Sequence, residues 1–156
     1  MSIEEYRNFK YMVDAYLELR DENLLKEIRK IIDTKKSIRR QLIKELDNNE
    51  RYIEVFCIED QVKIGINILN RESHRKYSTY KTVWILFYMS NKAIGEILKN
   101  VDSKALNDVI YEIKNIVKND YRNMSEYFKP RTNKKFSKIG LKRAFKKLYR
   151  KCSKFE

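Results

Sequence analysis

The chain has 156 residues, and its 35 Lys and Arg outnumber its 22 Asp and Glu to give a net charge of +13. A hydrophobic share of 42% with one Pro and three Gly excludes a disordered composition, and the length fits one domain, or one domain plus an appendage. The longest apolar run, Val83 to Met89, is seven residues, where a membrane-spanning helix needs about 20. Met1 to Arg20 alternates charged with apolar residues and lacks the continuous apolar core of a secretion signal. Cys57 and Cys152 are two lone cysteines that make neither a disulfide framework nor a zinc pattern and read as free thiols. Together these features read as an intracellular protein of a reducing compartment, cytoplasmic or nuclear.

Residues 2–20 are predicted to be helical, with Tyr6, Phe9, Val13, Tyr16 and Leu17 on one face and Ser2 followed by Glu5 in a capping-box pattern. Asp21 or Glu22 opens a second helix that turns Leu24, Leu25, Ile28, Ile31 and Ile32 inward. A third follows from Ser37 to Leu46, either separated at residues 33–36 or continuous with the second. After the turn signal Asp47-Asn48-Asn49-Glu50 the apolar period changes to two. Ile53, Val55 and Cys57 alternate with Tyr52, Glu54 and Phe56, and Val62, Ile64, Ile66 and Ile68 alternate with Lys63, Gly65, Asn67 and Leu69. Around the short loop Glu59-Asp60-Gln61 this pattern predicts a β-hairpin over about residues 51–69.

Residues 70–80 read as a polar loop and 80–99 as a helix, although Thr82 to Met89 also suits a buried strand. Asp102 or Ser103 caps a helix over residues 104–120. Pro130 marks a stop, and a final helix runs from about Ser137, or from just after Gly140, to about Ser153. The expected fold is α+β and predominantly helical. A helical core with one hairpin occupies residues 1–128, and a basic C-terminal helix docks on it from 129–156.

That C-terminal segment carries the strongest functional signal. Residues 129–156 hold twelve bases and one acid, +11 of the chain's +13. The chain is also rich in residues encoded by AT-rich codons, but codon bias acts along the whole length, and residues 1–128 balance 23 bases with 21 acids. On a helical wheel Leu141, Ala144, Phe145, Leu148, Cys152 and Phe155 form an apolar stripe. The cations Lys142, Arg143, Lys146, Lys147, Arg150, Lys151 and Lys154 cover the rest, and Lys134, Lys135 and Lys138 extend the charge toward the linker. A helix of this kind docks by its stripe and offers its charge to a polyanion, which releases condensed counterions on binding. The partner expected first is nucleic acid, gripped through phosphates and hence without sequence information. A partner protein's acidic surface comes second and an anionic membrane surface third. Deleting residues 129–156 should then abolish nucleic-acid affinity and leave a folded core.

Two further arrangements compete with this one. Three helices before a hairpin is the order of a winged helix-turn-helix, with Lys36, Arg39, Arg40 and Lys44 as a secondary basic surface. No Gly marks its turn, and the wing tip Glu59-Asp60 is acidic. Glu54, Glu59, Asp60 and Lys63 resemble the strand-borne acids and lysine of restriction-type nucleases, although Gln61 stands where an acid is needed. His74 is the single histidine, so no site built on two is available, and no G-x-S-x-G or glycine-rich phosphate loop is present. The expected activity is therefore non-enzymatic nucleic-acid binding, by an accessory or regulatory protein whose small size and AT-rich coding suggest a virus or mobile element. Nothing in the pattern calls for a cofactor or a metal. The rival reading is an inhibitor of a partner enzyme's acidic surface or nucleic-acid channel, supported by eleven tyrosines.

Overall fold

Ser2 begins the first helix as the sequence requires. Its side-chain oxygen accepts a hydrogen bond from the Glu5 backbone N–H at 2.9 Å, and α1 runs from Ile3 to Leu19. The computed structural model describes residues 2–72, 79–118 and 138–153, which form two compact units, Met1–Cys57 and Ile58–Glu156.

The first unit contains α1, α2 (Glu22–Thr34), α3 (Lys36–Glu45) and a short 3-10 helix, Glu50–Val55. Asp21 caps α2, and Lys35, with extended backbone, separates α2 from α3. Phe9, Val13, Leu25, Ile28, Ile38 and Leu42 meet in its core with Ile53 and Phe56. Polar ties join elements distant in sequence. Arg20 grips Glu54 with both guanidinium nitrogens, at 2.9 and 3.4 Å, Lys10 pairs with Glu45 at 3.3 Å, and Lys35 pairs with Glu5. Arg29 Nε donates to the Val55 carbonyl at 3.2 Å, and the Tyr52 hydroxyl donates to Asp14 at 2.6 Å.

The second unit contains α4 (Ile58–Glu72), α5 (Thr79–Tyr88), α6 (Asn91–Leu98), α7 (Ser103–Lys118) and α8 (Lys138–Ser153). Helix α4 packs on α5, α6 and α7, while α8 packs on α7 and α5. Trp84 of α5 is fully buried and meets the Phe145 ring edge-on at 5.1 Å. Ser90 ends the apolar run of α5 and caps α6, its Oγ accepting from the Ala93 N–H at 3.2 Å. The Ser90 N–H itself donates to Gln61 Oε1 at 3.1 Å, so this buried glutamine of α4 is consumed in holding the start of α6.

The β-hairpin expected over residues 51–69 is not present, and among the described residues there is no strand, so the α+β class is replaced by an all-helical one. The alternation is ambiguous because Ile64 and Ile68 are four residues apart and satisfy a helical period equally well. The helix buries Gln61, Ile64, Gly65, Ile68 and Leu69, a set spaced at three and four residues. Glu59 and Asp60, expected in a hairpin loop, lie in the first turn of α4, where acids face the positive end of the helix dipole. Without a hairpin there is no wing for a winged helix, and the nuclease-like residues are not strand-borne. Glu54 lies on the 3-10 helix, and Glu59, Asp60 and Lys63 lie on α4. The helix expected over 80–99 is two helices, because Ser90 and Asn91 supply a cap and a new start.

Candidate nucleic-acid interface

Helix α8 takes its orientation from its apolar row. Leu141, Phe145, Leu148 and Cys152 recur at spacings of four, three and four, and all four are buried. The Phe145 ring, 0% exposed, stacks on Phe87 at 4.6 Å with 19° between the planes. Burial pushes the Cys152 thiol up to about 12, against the opposing charge of Lys151. This anchoring fixes which side of α8 meets solvent. Lys142, Arg143, Lys146, Lys147 and Arg150 are exposed, and among the described residues none of the five forms an ion pair. Lys151 is half-buried and has a partner. Lys138 is the first residue of α8. Lys134, Lys135 and Lys154 lie outside the described residues, as do His74 and Phe155.

The packing of α7 on α8 adds cations that the charge pattern of the tail does not reveal. The two helices border an open groove of about 340 Å³ lined by Lys114, Val117, Lys118, Lys146, Tyr149 and Arg150. Lys114 and Lys118 are one turn apart on α7, as are Lys146 and Arg150 on α8, so each helix contributes a pair of cations separated by a rise of about 6 Å. Val117 and Tyr149 provide the apolar lining. Lys142, one turn before Lys146, extends the row on α8. The acids of α7 lie elsewhere. Asp108 and Glu112 share the flank of α7 on the other side of its buried row from Lys114 and Lys118. The Glu112 carboxyl is held above the usual carboxylate range, first by burial and then by the charge of Asp108.

The charge follows the boundary between the units. Met1–Cys57 has twelve bases and twelve acids, so Ile58–Glu156 carries the whole +13. Within the first unit, bases tie helices together through Glu5, Glu45 and Glu54. Lys36, Arg40 and Lys44, three of the four residues of the secondary basic surface, are exposed on α3, whereas Arg39 is half-buried and partnered. Among the described residues, no group of three or more His, Cys, Asp or Glu converges in a way that suits a metal ion. No helix among them is long and apolar enough to cross a membrane.

Compared with protein-family models, curated proteins and solved structures, the chain matches none.

Proposed function

We propose that the protein is a non-enzymatic nucleic-acid-binding accessory or regulatory factor, of a virus or mobile element, that grips phosphates with the outer side of α8. One observation carries this reading. The apolar row of α8 is spent on packing while Lys142, Arg143, Lys146, Lys147 and Arg150 face solvent without acidic partners among the described residues. Five unpaired cations on one rigid helix cost repulsion, which a phosphate backbone relieves by counterion release.

Fluorescence anisotropy with random-sequence oligonucleotides at two salt concentrations tests it. Binding that weakens steeply as salt rises supports the proposal. Absence of binding at low salt overturns it and leaves the inhibitor reading. That rival draws on the eleven tyrosines, of which Tyr11 on α1 and Tyr111 on α7 are exposed.

A further inference from the structure

We infer that the groove between α7 and α8 seats a nucleotide of a single strand, with its base against Tyr149 and its phosphates between the cation pairs Lys114/Lys118 and Lys146/Arg150. The inference rests on the nucleic-acid reading above and narrows it from polyanions in general to unpaired strands.

Three observations favour a single strand over a duplex. First, Tyr149 is half-buried in the lining rather than raised on the outer side of α8. A double helix keeps its base faces stacked inside, and only an unpaired base can present one to the ring. Second, at about 340 Å³ the groove is at the small end of the range for ligand pockets, about 300–1,000 Å³, which suits one nucleotide and not the width of a double helix. Third, cations on both banks with an aromatic and an aliphatic residue between them is the combination by which sequence-tolerant single-strand binders work. The cations track the backbone and the ring takes whichever base arrives. The acidic flank of α7, with Asp108 and Glu112, faces away from this groove and leaves the α8 side as the favourable one for phosphate.

The test uses the full-length protein with labelled 12-mers of oligo-dT and oligo-rU and a 12-bp duplex, each titrated by anisotropy at two salt concentrations. Both single strands should bind more tightly than the duplex. Tyr149→Ala should weaken single-strand binding about five- to 150-fold, the range for losing a base–aromatic stack, and leave duplex binding unchanged. Tyr149→Phe, which keeps the ring, should bind like the parent. Lys114→Gln with Lys118→Gln should weaken single-strand binding several-fold and flatten its salt dependence, with circular dichroism showing intact helices. If Tyr149→Ala binds single strands as tightly as the parent, or the duplex binds at least as well, the groove assignment is wrong while the α8 reading stands. If no oligonucleotide binds at all, both fall.

Discussion

Gly65 of α4 lies so close to Ile97 of α6 that a Cβ built on the glycine would overlap Ile97 Cδ1 and come within 3.1 Å of Ile97 Cγ1 and Met89 Cε. Two effects oppose each other in Gly65→Ala. Helix propensity favours alanine by about 1 kcal/mol, and overpacking a full core costs about 1–3 kcal/mol. Ile97 and Met89 are both buried and both crowd the added methyl, so two core side chains would have to shift together; overpacking should prevail and urea unfolding should show a net loss. Ile97→Val removes the overlapping atom and alone should cost about 0.5–1.5 kcal/mol. The double variant should be more stable than the two losses predict, by about 1 kcal/mol. Additive losses would show that the close approach is not the cause.

Charge removal on α8 should act on binding and not on folding. Lys142→Gln, Lys146→Gln and Arg150→Gln together should leave the thermal midpoint within a few degrees of the parent, because none of these side chains has an acidic partner among the described residues. The slope of log affinity against log salt should fall by about 0.7 for each phosphate of a single strand that is no longer neutralised, or about 0.9 for duplex. Lys36→Gln with Arg40→Gln on α3 is the control, and an equal loss there would shift the binding surface to the first unit.

Alkaline pH should destabilise the fold through three groups. Burial holds Tyr6, Tyr52 and Cys152 protonated beyond their ordinary ranges, helped at Tyr6 by the charge of Glu45 and at Tyr52 by its hydrogen bond to Asp14. Each folded-state value is raised, so the stability these groups contribute is complete below their unfolded values. It is lost as pH rises, because the unfolded chain then gives up protons that the folded chain retains. Thermal midpoints should be level from pH 7 to about 8.5 and fall above that. At neutral pH the two tyrosines should differ. The Tyr6 hydroxyl is buried without a hydrogen-bond partner, so Tyr6→Phe should be neutral or stabilising, whereas Tyr52→Phe breaks the bond to Asp14 and should cost about 1 kcal/mol.

Thiol labelling should report the docking of α8. Cys57 is half-buried and Cys152 fully buried with its thiol pushed up. A thiol reagent at pH 8 should therefore modify Cys57 first and reach Cys152 only on unfolding. Phe145→Ala, which removes the ring packed on Trp84 and Phe87, should cost about 3–5 kcal/mol and bring Cys152 labelling close to the rate of Cys57. Continued protection of Cys152 in that variant would mean that α8 is held by other side chains.

The same ring changes what deletion of the tail would mean. The sequence treats residues 129–156 as removable, yet Phe145, Leu141 and Leu148 belong to the core of the second unit. Truncation would open that core, so loss of binding would not be attributable to charge. Substitution of exposed cations is the cleaner experiment.

How much is legible in the sequence follows from how local each signal is. Helices α1, α2, α7 and α8 have caps or long runs at helical spacing, and those depend only on neighbours along the chain. Helix α4 reads as a hairpin because its β-branched residues at 62, 64, 66 and 68 repeat with both periods. Two residues that break the tie, Gln61 and Gly65, are buried for reasons that lie in Ser90 and α6. The candidate site divides in the same way. The cations of α8 stand in one segment and are visible there. Lys114 and Lys118 join them only through the packing of α7 on α8. Their four-residue spacing beside Val117, on the edge of the apolar row, is the available hint.

Because Phe145 is packed against Phe87 and Trp84, α8 would meet any partner already folded. Unstructured cationic tails surrender chain freedom when they settle on a target, and that loss is subtracted from their affinity. Here the surrender was made once, during folding. A phosphate backbone bound there would have to match the fixed spacing of the cations on α8.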